Sequence, residues 1–106
     1  MNYTLIPNLA DPANIPADGI LSRTVYADDQ MKAVLFGFST GEELSEHTAS
    51  VPAIIHILQG EARLTLDEDT MEVSAGAWAH MPARMRHSLY AKTPLIMLLL
   101  MLTERT

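Results

Sequence analysis

Residues 41–60, GEELSEHTASVPAIIHILQG, and residues 76–91, GAWAHMPARMRHSLYA, are the stretches of sequence that decide the fold. Each begins with a glycine, and after five residues comes a chemically distinctive one, a histidine in the first stretch and a proline in the second. Short apolar runs separated by glycine and proline turns are typical of β-strands. The span 41–91 also holds all four histidines of the chain: His47, His56, His80 and His87.

The composition indicates a single globular domain and excludes several classes of function. The chain has 106 residues, 48% of them hydrophobic and 19% charged, which is enough to bury a core. A net charge of -6 argues against binding to a phosphate backbone, which needs a basic face. The absence of cysteine excludes disulfides and thiolate metal sites.

The sequence shows no sign of export or membrane insertion. The N-terminus lacks the basic segment and apolar run of a signal peptide. The longest apolar run, residues 95–102, is too short to cross a bilayer as a helix, which takes about 20 residues. We therefore predict a cytoplasmic protein that binds a small molecule and neither nucleic acid nor membrane.

Turn-forming residues divide the chain into an extended arm and eight or nine short strands. Prolines and the pairs Asp11-Pro12 and Asp18-Gly19 predict an extended arm over residues 1–19, packed on the remainder. In residues 20–106 strand signals alternate with turns, and no segment sustains a helical period for about eleven residues. The prediction is an all-β antiparallel sandwich or small barrel over residues 20–106.

The last predicted strand, residues 95–103, is apolar on both faces, so both faces must be covered. One face can line the barrel. The other needs a second layer, which is either the N-terminal arm or another subunit. We therefore predict a homodimer.

The two opening stretches resemble the two sequence motifs of the cupin superfamily. The first motif is glycine, five residues, histidine, one residue, histidine, three or four residues, glutamate, six residues and glycine. At that spacing this sequence has Gly41, His47, Ala49, Ala53 and Gly60. The second motif is glycine, five residues, proline, one residue, glycine, two residues, histidine, three residues and asparagine. At that spacing this sequence has Gly76, Pro82, Arg84, His87 and Ala91. The resemblance implies a compact antiparallel jelly-roll β-barrel.

The resemblance also implies a metal site whose ligand set is incomplete. Cupin sites hold divalent Fe, Mn, Ni or Zn with three imidazoles and one carboxylate. His47 and His87 stand at the first and last ligand positions, whereas Ala49 and Ala53 replace the second histidine and the glutamate. Catalytic zinc and non-haem iron normally take three protein ligands, so the site is short by one or two.

The other two histidines differ in their expected orientation. Side chains alternate along a strand, so if Ala53 points into the barrel, His56 points out. His80 shares a strand face with Trp78. If that face is inward, His80 completes a three-imidazole metal site, and if it is outward, His80 is a surface residue. The turn at Pro82 interrupts the alternation, so both alternatives stay open.

Four residues near the second motif are the predicted substrate-binding set: Trp78, Met81, Arg84 and Tyr90. The guanidinium of Arg84 would hold a substrate carboxylate in a fork, unless it is a solvated loop residue. Met81 would line an adaptable apolar pocket or simply fill the core. Tyr90 would place a hydroxyl in the cavity.

Two functions remain open at this point. In the first, the chain is a metal-dependent enzyme of dioxygenase, isomerase or decarboxylase type, with the metal a Lewis acid anchored by His47, His87 and His80. In the second, the chain is a metal-free cupin that binds or senses a small molecule. His47 and His87 would then hydrogen-bond to each other or to water, which satisfies a neutral imidazole.

Overall fold

The computed structural model describes residues 2–103, which form nine β-strands and one short turn of 3-10 helix at Pro12–Asn14. Turn residues separate the strands at the positions that the sequence indicates. In chain order the strands are β1 (Ile20–Ala27), β2 (Met31–Phe38), β3 (Glu43–His47), β4 (Ala53–Gln59), β5 (Glu61–Leu66), β6 (Asp69–Ser74), β7 (Trp78–Met81), β8 (His87–Ala91) and β9 (Leu95–Leu102).

The strands form two facing antiparallel sheets. The larger has five strands in the order β1-β2-β9-β4-β7, and the smaller has four in the order β3-β8-β5-β6. Neighbours such as β2 and β9 are distant in sequence, because the chain crosses repeatedly between the sheets, as in a jelly roll. The predicted all-β antiparallel jelly-roll fold is therefore confirmed.

The core lies between the two sheets and follows the alternation of side chains along each strand. On β4, Ala53, Ile55 and Ile57 are buried, while the residues between them are half-buried on the other face. Strand β9, at the centre of the five-stranded sheet, is buried on both faces over residues 95–99. Its inward residues join the main core cluster, and its outward residues join a second cluster outside the barrel.

The N-terminal arm packs against this second cluster. Leu9 and Ile15 contact the outward side chains of β2 and β9. The arm backbone comes so close to β2 that a Cβ on Gly37 would stand 1.7 Å from the carbonyl oxygen of Asn14, so only glycine fits there. Met1 of the predicted arm and residues 104–106 of the predicted barrel lie outside the described residues, and the division into 1–19 and 20–106 stays a prediction.

The first motif ends in a tight connection between β4 and β5. Gly60 has φ +93°, a conformation that side chains other than glycine rarely adopt, and a Cβ there would stand 2.2 Å from the carbonyl oxygen of Pro94. The glycine therefore fixes where the chain leaves one sheet and enters the other. Within residues 2–103, no helix is long and apolar enough to cross a membrane.

Candidate functional site

Strands β3 and β8 bring His47 and His87 together. The two residues are direct partners in the antiparallel pairing, after an irregularity in β3 between Leu44 and His47. Their ring centroids are 4.1 Å apart, and the ring planes are tilted by 58°. The extra residue in β3 bends the strand there and changes the direction of its side chains. One imidazole from the first motif and one from the second are thus in contact.

Each imidazole of this pair is held by a backbone carbonyl two residues before it in sequence. Nδ1 of His47 lies 2.8 Å from the carbonyl oxygen of Ser45, and Nδ1 of His87 lies 3.1 Å from that of Met85. A carbonyl oxygen can only accept, so in both rings Nδ1 carries the proton and donates it. In the neutral rings Nε2 then keeps its lone pair. The pair therefore offers two Nε2 acceptors, on rings whose centroids are 4.1 Å apart.

The two rings differ in their exposure. His87 is the one buried polar or charged side chain among the described residues, at 4% exposed, whereas His47 lies exposed at the rim. Burial lowers the pKa of His87 below its ordinary value, the hydrogen bond to the Met85 carbonyl opposes that change, and the neighbouring His47 adds to it. His87 is therefore a neutral imidazole at neutral pH, as an acceptor or a metal ligand must be.

His56 and His80 lie on the opposite side of the five-stranded sheet from the core. Their cross-strand partners are Trp78 and Ile54, respectively. Met81, the neighbour of His80, is buried in the main core cluster, so alternation places His80 on the outer face. The structure thus brings His47 and His87 together and places His56 and His80 elsewhere.

Comparisons with known proteins identify the family. A family model described as "Cupin domain" matches residues 34–102. The chain belongs to the cupin family. Among solved structures, a conserved protein of unknown function from Streptococcus pyogenes is 30% identical, over 99% of this chain and 95% of its own, with a TM-score of 0.81. A cupin superfamily protein from Desulfitobacterium hafniense is 27% identical, over 98% of this chain and 97% of its own, with a TM-score of 0.81.

More distant structures agree in fold. An RmlC-like cupin protein from Desulfovibrio desulfuricans is 22% identical, over 94% of this chain and 97% of its own, with a TM-score of 0.84. At that identity the likeness concerns the fold alone. A search among curated proteins found no match to this chain.

The donor set of this cupin does not fit a resident metal of the usual cupin kind. Ala53, at the glutamate position, is buried on the inner face of β4, and Ala49, at the second histidine position, lies half-buried in the loop after β3. No cluster of three histidine, aspartate or glutamate side chains suited to a metal occurs within residues 2–103. Two imidazoles remain where catalytic sites normally use three protein ligands.

The loop of the second motif keeps its backbone shape although its glycine is replaced. Arg84 stands at the glycine position and has φ +68°, in the left-handed region. Its backbone N–H donates to the carbonyl oxygen of Ala49 at 2.7 Å, which ties this loop to the one after β3. Both loops flank the histidine pair, so this bond fixes the rim of the site.

The four predicted substrate-binding residues lie in different places. Met81 is buried in the core beside Ala53, its partner on β4. Arg84 is exposed in the rim loop. Tyr90 is exposed on the outer face of the four-stranded sheet, where the Arg63 guanidinium lies 5.6 Å from its ring centroid. Trp78 is also exposed. Their roles remain predictions.

A cavity of about 100 Å³ lies between the sheets, away from the histidine pair. Its walls are apolar side chains and backbone from β4 to β7: Ile55, Ile57, Leu64, Met71, Val73, Ala77, Trp78 and Ala79. Drug-sized ligands usually occupy about 300 Å³ or more. This cavity is therefore too small for a ligand of that size.

Some contributors to the site were missed by the sequence reasoning. The carbonyls of Ser45 and Met85, which set the tautomers of the two rings, carry no signal in residue identity, because every residue has a carbonyl. The apolar cavity wall did have a signal: the alternation of polar and apolar residues over β5 marks Leu64 as inward-facing.

Proposed function

We propose that this cupin binds a small molecule at the His47–His87 pair, at the mouth of the barrel. The observation that supports this most strongly is the pair of rings whose Nδ1 atoms are both engaged by backbone carbonyls. In neutral rings both Nε2 atoms are acceptors, and a site that offers acceptors selects ligands that donate.

The chemistry of the pair favours a ligand with hydroxyl or other protonated oxygen donors. Two neighbouring Nε2 acceptors suit a hydroxylated or enolisable molecule, or a carboxylic acid that brings its own proton. Arg84 lies on the rim and would meet a second, anionic group of such a ligand. In this proposal the two imidazoles bind and orient the ligand, and the binding protein acts as a sensor or carrier.

A metal-dependent enzyme is the second candidate, and one feature favours it. Histidines that bind metals usually donate their second ring nitrogen to a carbonyl or carboxylate, as both rings do here. The pair would hold divalent Fe, Mn, Ni or Zn, with water and substrate supplying the other positions, and the metal would act as a Lewis acid in dioxygenase, isomerase or decarboxylase chemistry. His80, the third ligand expected from sequence, lies on the opposite face of β7, so this candidate rests on two protein ligands.

Elemental analysis separates the two candidates. The protein is purified without a histidine tag or chelator, and metal is measured before and after reconstitution with each of the four metals. The binding-protein proposal predicts no stoichiometric metal in either sample. Stoichiometric metal that is lost in His47→Ala and in His87→Ala, but kept in the control His56→Ala, would contradict the metal-free proposal and support the enzyme candidate instead.

Three further properties belong to the proposal. The net charge of -6 supports a small-molecule partner over nucleic acid. We also propose a cytoplasmic location and a homodimer. The support for the homodimer is the apolar outer face of β9, which one N-terminal arm covers only in part.

A further inference from the structure

The turn between β5 and β6 lies beside the loop that leads into His87. Strand β5 ends at Leu66, whose partner on β8 is His87. Asp67 follows Leu66 and lies opposite Arg86, so the pairing extends by one step beyond the strands. Asp67 has φ +52°, in the left-handed region, which aspartate and asparagine adopt more readily than most residues. The turn thus presents Asp67 to the backbone that precedes His87.

Asp67 contacts Arg86 in three ways. Its backbone N–H donates to the carbonyl oxygen of Arg86 at 2.8 Å. Its carboxylate oxygen Oδ1 accepts from the backbone N–H of Arg86 at 3.3 Å, and the same oxygen lies 3.7 Å from Nε of the Arg86 guanidinium. Among the described residues, Asp67 is the one whose side chain accepts a hydrogen bond from the backbone of residues 82–86. Asp67 therefore holds both peptide groups that flank Arg86.

One of these peptide groups also holds the ring of His87. The N–H of Arg86 and the carbonyl of Met85 belong to the same planar, trans peptide unit, so they point in opposite directions. On one side, the N–H donates to the carboxylate of Asp67. On the other side, the carbonyl oxygen accepts from Nδ1 of His87 at 3.1 Å. The orientation of a single peptide plane thus connects the carboxylate of Asp67 to the imidazole of His87.

The same connection strengthens the hydrogen bond to the ring. A hydrogen bond that is donated by the N–H of a peptide unit polarises its carbonyl, because successive hydrogen bonds strengthen one another. The acceptor here is a carboxylate, and hydrogen bonds to charged groups are stronger than neutral ones. The Asp67 side chain is 49% exposed, so water screens its charge. We therefore expect an effect on the ring no larger than that of about one ordinary hydrogen bond.

We propose that Asp67 is a positioning residue of the histidine site. It fixes the peptide plane between Met85 and Arg86 and thereby keeps the proton of His87 on Nδ1. Asp67 acts through the backbone and is not itself a ligand-binding group. This inference rests on the proposed function, in which Nε2 of His87 accepts a hydrogen bond from the bound molecule, and it names the residue that keeps this acceptor available.

The tautomer of His87 can be measured without a ligand. A long-range proton–nitrogen NMR correlation is recorded on the full chain at about pH 7.5, where an ordinary imidazole is neutral. Two variants separate the hydrogen bond from the shape of the turn. Asp67→Gly tolerates the positive φ but removes the acceptor, whereas Asp67→Asn also tolerates it and keeps an acceptor oxygen. Glu68→Gly, at the other exposed residue of the same turn, is the matched control.

Asp67→Gly should lower the ratio of Nδ1-protonated to Nε2-protonated His87 by roughly 5-fold, the effect of about one lost hydrogen bond. The Nδ1 resonance of His87 then moves toward that of an unprotonated nitrogen, and the amide proton of Arg86 exchanges roughly 5-fold faster. Asp67→Asn should restore most of the parent signals, and Glu68→Gly should leave them unchanged. His47, which is held by a different carbonyl, should keep its proton on Nδ1 in every variant.

Four results would overturn the inference. The first is an unchanged His87 signal in Asp67→Gly, and the second is an equal change in Glu68→Gly or at His47, which would indicate a general loosening. The third is an Asp67→Asn variant that behaves like Asp67→Gly. The fourth, a parent protein with the proton of His87 on Nε2, contradicts the proposed function as well and is recognised before any variant is compared. Circular dichroism checks folding, and Asp67→Ala, which also lacks the acceptor, replaces Asp67→Gly if the glycine variant does not fold.

Discussion

The two pairs of histidines in this cupin show how one residue type is put to different uses by the sheet that carries it. His47 and His87 lie on the four-stranded sheet at the barrel mouth, with their rings in contact. His56 and His80 lie on neighbouring strands of the five-stranded sheet and face outward. Within residues 2–103, ring nitrogens hydrogen-bonded to the backbone occur in the first pair alone.

The difference arises from alternation along the strands and from local backbone geometry. A shift of one position along a strand moves a side chain to the other face of the sheet. The inner pair, His47 and His87, has fixed tautomers because a backbone carbonyl accepts a hydrogen bond from each Nδ1 atom. The outer pair, His56 and His80, lies on an uncharged, largely apolar sheet face together with Trp78. Ligand binding is therefore expected at the inner pair and not at the outer pair.

The largest expected effect is on stability, where the inner and outer faces of the five-stranded sheet should differ. Adjacent residues of β4 test this difference. Ile55→Ala removes a buried inward side chain and should lower the free energy of unfolding by about 2–5 kcal/mol. Ile54→Ala, which removes the same atoms from the half-buried outer face, should cost about 1 kcal/mol in the monomer. Urea denaturation, at protein concentrations low enough for the chain to be monomeric, measures the free energy of unfolding of both variants. Equal losses would contradict the assignment of the two faces.

The pH dependence of stability should distinguish His87, the buried histidine of the inner pair, from the histidines on the outer face. Burial lowers the pKa of folded His87, so below about pH 6.5 the unfolded chain binds a proton that the folded chain does not. Stability should therefore fall as the pH drops from about 6.5 through the lower pKa of the folded state, and stay level in this respect above that window. Urea midpoints measured across this range provide the test.

Two variants isolate the group responsible. His87→Gln should lose part of the acid-induced decrease in stability, whereas the matched change His80→Gln on the outer face should retain it. If both variants follow the parent protein at every pH, His87 is not buried as a neutral imidazole.

The smallest expected effect concerns the loop that forms the rim of the inner pair. Arg84 has a positive φ at a position where the cupin motif has glycine. Arg84→Gly should relieve this conformation and stabilise the fold by up to about 1 kcal/mol, offset in part by the greater freedom of glycine in the unfolded chain. Thermal denaturation measures the change, and a clear loss of stability would mean that the side chain contributes more than its backbone strain costs.

The fold could be predicted in detail because its signals are local. Turns at glycine and proline, and alternation on β4, identify strands without knowledge of their partners. The proximity of His47 and His87 is not local, and it was expected only from the resemblance to the cupin motifs. The orientation of His80 could not be predicted, because the turn at Pro82 separates its strand from that of His87, and only the packing of Met81 decides it.

The site was predicted less completely than the fold. The position of His87 came from the motif, but the carbonyl of Met85 that holds its ring is set by the loop conformation. Trp78, within the second motif stretch, was predicted to bind substrate. Its strand, β7, lies at the edge of the five-stranded sheet, and this position depends on strand pairing, which has no signal at Trp78 itself.

The most direct test of the proposed function is a long-range proton–nitrogen NMR correlation of the four histidines at about pH 7.5, where an ordinary imidazole is neutral. It is recorded alone and with a panel of small hydroxylated, enolisable and carboxylic molecules. We predict that His47 and His87 both carry the proton on Nδ1, and that a bound molecule shifts Nε2 of these two rings while His56 and His80 stay unchanged. A proton on Nε2 of either inner ring, or ligand shifts confined to the outer pair, would contradict the proposal.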